Sequence, residues 1–111
     1  MLRTEQQEKK ICANCPMART ANLVGDTCVL LIVRDLLGGP KRFGELGKSL
    51  TGISTRTLTI KLKTLTEKGI IDRHEEKHVK PPKVEYILTS KGKGLTTLAK
   101  AMTTYGEKYL N

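Results

Sequence analysis

The chain has no tryptophan and only four aromatic residues in 111, Phe43, Tyr86, Tyr105 and Tyr109. Its core must be aliphatic, and the aromatic platforms on which single-stranded bases stack are hard to assemble, which argues against a reader of RNA or single strands. Long apolar runs are missing too. The longest, Cys28 to Val33, is six residues, whereas a membrane-spanning helix needs about 20. Residues 1–11 lack the apolar stretch of a secretory signal, so a cytoplasmic, thiol-reducing location is expected and the three cysteines read as free thiols. Neither paired carboxylates nor a Ser/His/Asp set stands out, so no hydrolytic site and no cofactor is expected. Acid is in short supply: 11 Asp and Glu against 20 Lys and Arg leave a net charge of +9. That surplus points to a polyanionic partner, and without a spanning segment nucleic acid is favoured over membrane. A chain of this length builds one core, hiding roughly two-thirds of its unfolded surface, and needs no metal or disulfide staple.

Residues 1–14 carry no sustained apolar period and read as an N-terminal arm, with the ordered domain spanning 15–111. Pro16 suits the first position of a helix, where its missing N–H would be unpaired anyway. That helix runs to Leu23 or Val24 and breaks at Gly25. Asp26 can cap a second helix holding Val29, Leu30, Leu31, Ile32, Val33, Leu36 and Leu37, which is apolar on nearly every side and so belongs in the middle of the fold. Gly38-Gly39-Pro40 ends it. A short helix from about Gly44 to Leu50 follows, with Phe43 and Leu46 turned inward, and then a five-residue turn from Ser49 to Ile53. Ser54 caps a helix in which Leu58, Leu62 and Leu65 form one stripe, ending at Gly69.

Ile70 and Ile71 open a strand, and Val84, Tyr86 and Leu88 alternate with Glu85 and Ile87 in a second, the pattern of an antiparallel hairpin. Its tip, from His74 to Lys83, is polar and basic. Ser90 can cap a final helix carrying Leu95, Leu98, Met102, Tyr105 and Tyr109, spaced as an a/d seam that usually meets another helix. The order of elements predicts a mainly α fold with a small antiparallel β-hairpin (α+β), the arrangement of a winged helix-turn-helix.

On a helical wheel of about 100° per residue, Arg56, Ile60, Lys63 and Thr64 lie opposite the leucine stripe. Such a helix enters a major groove N-terminus first, so Thr55, Arg56, Thr57 and Ile60 fall nearest base edges, with the capping Ser54 beside them a further DNA-binding candidate, and Lys63 reaches phosphate. Arg56 suits guanine, whose O6 and N7 it can grip with two bonds. Ile60 suits a thymine methyl, or is simply one of the apolar residues every surface exposes. Residues 41–93 carry 13 basic and 6 acidic side chains, which makes Arg42, Arg73, Lys77, Lys80 and Lys83 candidates for phosphate contact rather than an ordinary solvated face. Self-pairing of Leu95, Leu98, Met102, Tyr105 and Tyr109 across a two-fold axis would set two reading helices about 34 Å apart, matched to a two-fold symmetric operator.

Cys12-x-x-Cys15 and His74-x-x-x-His78 spell the two halves of a zinc-finger pattern, but 58 residues separate them where about a dozen is usual, so no metal is expected. Cys15, directly before Pro16, places its sulfur where unpaired helix amides and the positive end of the dipole favour an anion. It is the redox-sensing candidate, able to react with peroxide or an electrophile and then bond Cys12 or a cysteine of a second subunit. The alternative is an inert cap. Cys28, in an apolar helix, reads as core filler.

Cys15-Pro16, Gly38-Gly39-Pro40-Lys41-Arg42-Phe43-Gly44-Glu45-Leu46, Gly52-Ile53-Ser54 with the leucine stripe and Gly69, and Pro81-Pro82-Lys83-Val84-Glu85-Tyr86-Ile87-Leu88-Thr89 with Gly92 together resemble the HxlR-type winged-helix transcription regulators, from Cys15 to about Tyr105. The resemblance implies a homodimer on double-stranded DNA, joined largely through terminal helices, and in several members a sensing cysteine before the proline. One departure stands out. Where the family has a basic residue and then Trp after the glycine, this chain has Thr27 and Cys28, so neighbouring bulk must fill the space or leave a small-molecule pocket. Two rival readings remain at this stage, a thiol-disulfide redox protein using Cys12 and Cys15 and a winged-helix module that binds only protein.

Overall fold

Cys15, Asp26, Ser54 and Thr89 each begin a helix of this fold, because a short side chain there accepts a hydrogen bond from an otherwise unpaired first-turn amide. The computed structural model describes residues 15–110; the expected arm at 1–14, and Cys12 within it, lie outside the described residues. Helix α1 (Pro16–Val24) starts with Pro16 in the first turn, and the Sγ of Cys15 accepts from the Ala18 N–H at 3.4 Å. Helix α2 (Thr27–Leu37) is capped by Asp26, whose Oδ1 accepts from the Cys28 N–H at 2.8 Å. Val29, Ile32, Val33 and Leu36 are buried along it, with Cys28, Leu31 and Leu37 packed at the core's edge. As its all-round apolarity predicts, α2 is the central helix, packing against α1, against the helices at Phe43–Ser49, Thr55–Glu67 and Thr96–Tyr109 and against the strand Lys83–Leu88.

Helix α3 (Phe43–Ser49) begins one residue earlier than the sequence suggests, and Glu45 helps fix that start by accepting the Arg42 backbone N–H on Oε1 at 2.9 Å. Leu46 and Leu50 fill the space below it. Helix α4 (Thr55–Glu67) is capped by the Ser54 hydroxyl, which accepts from the Thr57 N–H at 3.1 Å, and its Leu58, Leu62 and Leu65 are all at most 2% exposed. Gly69, with φ +74°, turns the chain out of α4 in a conformation that side chains rarely adopt. The Ile70 N–H then returns to the Leu65 carbonyl at 3.0 Å.

Strands β1 (Ile71–Glu76) and β2 (Lys83–Leu88) pair antiparallel, with Ile71 opposite Leu88 and Glu76 opposite Lys83. The strands therefore reach further than expected: His74 to Glu76 and Lys83 belong to the ladder, and the tip is 77–82. The alternation of β2 does not become alternating burial. Only Leu88 is buried and the rest of the strand is intermediate, with Tyr86 packed at the edge of the core. A third segment joins at the root, where Lys41 and Tyr86 exchange backbone hydrogen bonds of 3.1 and 2.8 Å. The wing is thus fastened to the loop that leads into α3.

The C-terminal segment corrects two expectations. Thr89, not Ser90, is the cap, its Oγ1 accepting from the Gly92 N–H at 3.1 Å, and the helix it opens, α5 (Ser90–Lys93), is a single turn. The longer α6 (Thr96–Tyr109) starts beyond a break at Gly94 and Leu95. Gly92 lies so close to the Ile70 carbonyl that an added Cβ would sit 2.2 Å from that oxygen and 2.9 Å from Leu88 Cδ2. Gly92→Ala is expected to cost about 1–3 kcal/mol as an overpacked backbone contact, read as a lowered midpoint of urea unfolding; an unchanged midpoint would mean that α5 is free to shift.

Candidate nucleic-acid interface

The outer face of α4 is built by default: once Leu58, Leu62 and Leu65 turn inward, the residues half a turn away must face solvent. Ser54, Thr55, Arg56, Thr57, Ile60 and Lys63 are all exposed, as read from the sequence, and Ile60 is 50% exposed in the middle of that polar face. The hydroxyls divide into two sets. Ser54 donates to Thr57 Oγ1 at 3.0 Å while accepting from the Thr57 N–H, so both side chains are engaged in the cap. Thr59 and Thr64 donate back to the Thr55 and Ile60 carbonyls at 2.8 and 3.0 Å. No carboxylate among the described residues pairs with the guanidinium of Arg56.

Arg42 is exposed at the start of α3, next to the Lys41 bridge. In the wing the charges sort by position. Arg73 pairs with Glu75 at 3.6 Å and Lys83 with Glu85 at 3.4 Å, each partner being two residues along the same strand face. With Asp72 and Glu76 as well, the two strands carry more acid than base. Lys77 and Lys80 stand exposed at the tip with no ion pair among the described residues. The unpaired positive charge of the wing is therefore at its end, a refinement that composition over 74–83 did not reveal. His74 lies within β1 and His78 at the tip, and no cluster able to hold a metal occurs among the described residues.

Helix α6 has no buried residue. Met102, Tyr105, Tyr109 and Leu110 are 46%, 57%, 61% and 71% exposed, with the two tyrosine rings tilted at 44° and 5.0 Å apart. Leu98 is intermediate. Leu95 sits in the break before α6 and packs against the core of its own chain, while the apolar stripe from Met102 onward has nothing over it among the described residues. Met17 on α1, 78% exposed, was not singled out by periodicity.

Cys15 is half-buried at the α1 cap. Cys28 packs against the core and lines neither of two surface grooves, one along Leu36, Pro40 and Leu88 and the other along Arg19, Lys68 and Lys91. Burial, and then the Asp26 carboxylate, push its thiol up. A link that periodicity could not show ties α4 to α2: Lys61 Nζ donates to Asp26 Oδ2. The hydrogen bond from Lys61 holds the Asp26 carboxyl below its ordinary value, and the same bond raises Lys61. Sign follows from direction: the contribution of Asp26 to stability is lost as pH falls through its lowered value, and that of Lys61 only as pH rises through its raised one.

The HxlR-like helix-turn-helix profile matches residues 23–111. The HTH-type transcriptional regulator YdeP of Bacillus subtilis is 39% identical over 95 residues, spanning 86% of this chain and 73% of YdeP. The HTH-type regulator sll1512 of Synechocystis is 36% identical over 96 residues, spanning 86% and 70%. Among solved structures, the redox regulator HypR in its reduced form superposes with a TM-score of 0.82 at 32% identity, over 87% of this chain and 95% of HypR. The reduced form of the transcriptional regulator YodB from B. subtilis gives 0.74 at 33% identity, over 86% and 93%. These relatives are regulators and not enzymes, which removes the thiol-disulfide enzyme reading of Cys12 and Cys15. With its winged-helix fold, its aliphatic core and the match over most of its length, the chain belongs to the HxlR-like helix-turn-helix family of transcriptional regulators.

Proposed function

We propose that this chain is a sequence-specific, double-stranded DNA-binding transcription regulator that works as a homodimer on a two-fold symmetric operator. The observation that carries this is the outward Arg56 at the N-terminal end of α4, which has no ion pair among the described residues. Around it Thr55, Thr57 and Ile60 face base edges, with the Ser54 cap fixing where the helix starts, and Lys63, Arg42, Lys77 and Lys80 reach phosphate. Arg73 and Lys83, already held by glutamates, contribute less. A dimer is needed because one short helix reads too few bases to find a genomic site. Leu98, Met102, Tyr105 and Tyr109 of α6 supply the seam, and Leu95 supports it from inside its own subunit.

The test is retardation and footprinting on the DNA beside the chain's own gene across a salt series. With about four or five phosphate contacts per subunit, the slope of log affinity against log salt is expected near −7 to −9. A slope shallower than about −4 would remove the wing from the interface, and failure to retard any duplex at low salt would favour a module that binds only protein. Ile60→Gln is expected to change which bases are preferred at one position while total affinity moves little, as read by in vitro selection with each protein. A uniform loss across sequences would assign Ile60 to the ordinary exposed surface.

A second reading, thiol-based sensing at Cys15, is favoured by its place at the α1 cap, with Sγ on the Ala18 N–H. HypR, described as a redox regulator, and YodB, solved in reduced and diamide-treated forms, are neighbours of the same fold. The footprint repeated with a mild oxidant is expected to disappear for the native chain and persist for Cys15→Ser. Protection that survives oxidation in both would make Cys15 a structural cap.

A further inference from the structure

We infer that the Asp26–Lys61 ion pair is a positioning clamp that fixes the roll of α4 on α2, and so sets how well the reading face meets DNA. The inference rests on the DNA-binding reading above and adds two residues that never touch the duplex. On the wheel of α4, Lys61 lies about 60° from Leu58 and about 140° from Arg56, beside the buried stripe rather than opposite it. Its Nζ donates to Asp26 Oδ2 across 35 positions of sequence. The other oxygen of the same carboxylate, Oδ1, accepts from the Cys28 N–H and caps α2. One carboxylate thus fastens the start of the central helix and the flank of the reading helix together.

A clamp at this place has a specific use. Leu58, Leu62 and Leu65 hold α4 against the core by apolar contact, which has no preferred direction and tolerates a small rotation about the helix axis. A roll of about 20° carries groups at the helix surface, about 5–6 Å from the axis, through about 2 Å. That is enough to break a bidentate hydrogen bond whose donor–acceptor distances run about 2.7–3.2 Å. An ion pair on the flank of the helix resists this rotation, since rolling either way stretches it or drives it into α2.

The sign of one substitution separates the clamp from simple electrostatics. Asn caps a helix about as well as Asp, so Asp26→Asn keeps the α2 cap and removes only the charge that holds Lys61. If Asp26 acts merely as a negative charge on a protein that binds phosphate, its loss raises affinity for DNA; if it positions α4, its loss lowers affinity. The experiment measures binding of the full chain, Asp26→Asn, Lys61→Gln and the double variant to a duplex recovered by in vitro selection with the native chain. It is done well below the lowest unfolding midpoint, so that unfolded protein does not contribute.

Each single variant is expected to bind roughly five- to tenfold more weakly, the double variant no worse than either, with discrimination against one-base mismatches narrowed and the salt slope unchanged. Equal or tighter binding by Asp26→Asn overturns the clamp while leaving the DNA-binding reading intact. A salt slope flattened by about 1.8 per dimer in Lys61→Gln overturns it too, by making Lys61 a phosphate contact. If the native chain selects no duplex, the DNA-binding reading falls and the clamp with it.

Discussion

Arg56→Ala is expected to lower operator affinity by about 2–6 kcal/mol for the dimer, one bidentate guanine contact of about 1–3 kcal/mol being lost from each half-site. The loss should be concentrated at one base pair per half-site, where all four bases become nearly equivalent. Competition retardation at fixed salt, with duplexes varied one position at a time, reads both quantities. Arg56→Lys sharpens the test, since it keeps the charge but cannot form the planar two-bond fork; it should recover non-specific binding and leave selectivity relaxed. Because the side chain is exposed and free of any ion pair among the described residues, the unfolding midpoint should hardly move. An even loss of affinity, with the base preferences of the native chain retained, would move Arg56 from base edge to phosphate.

Tyr105→Asp is expected to be as damaging by a different route. In the proposed dimer it places two carboxylates, one from each subunit, in the middle of the α6 seam. Two interface anchors worth about 2 kcal/mol each are lost, so the dimer should dissociate at a concentration about a thousandfold higher than before, as measured by sedimentation equilibrium. Tyr105 is 57% exposed in the single subunit, so the monomer should keep its fold and its helical circular dichroism. Footprints should shrink from two half-sites to weak or absent protection. A variant that remains dimeric would show that α6 turns its stripe elsewhere and that another surface, such as the one carrying Met17, joins the subunits.

The elements that were legible in the sequence are those whose stabilising interactions are local and periodic. Ser54 and Asp26 could be identified as caps because their partners lie two or three residues away, and the stripe of Leu58, Leu62 and Leu65 repeats at the pitch of a helix. The features that escaped notice join distant positions and leave no period. Lys61 meets Asp26 across 35 residues and Lys41 pairs with Tyr86 across 45, and nothing in the neighbourhood of any of the four residues announces its partner. The break before the final helix leaves no period either: the spacing of Leu95, Leu98 and Met102 continues smoothly past Gly94 and Leu95, where the chain divides α5 from α6. In the wing, net charge was a fair guide to the tip and a poor one to the strands, where Arg73 and Lys83 are answered by glutamates on the same face.

The bridge between Lys41 and Tyr86 bears on how regulators of this kind can diversify. Since the ribbon is anchored close to its base, residues 77–82 can be lengthened, trimmed or exchanged with little disturbance to where α3 and α4 sit. If the tip holds phosphate as proposed, grip and sequence preference become separately adjustable traits, and a loop grafted from a relative should alter how firmly the new hybrid holds DNA without rewriting the letters it reads.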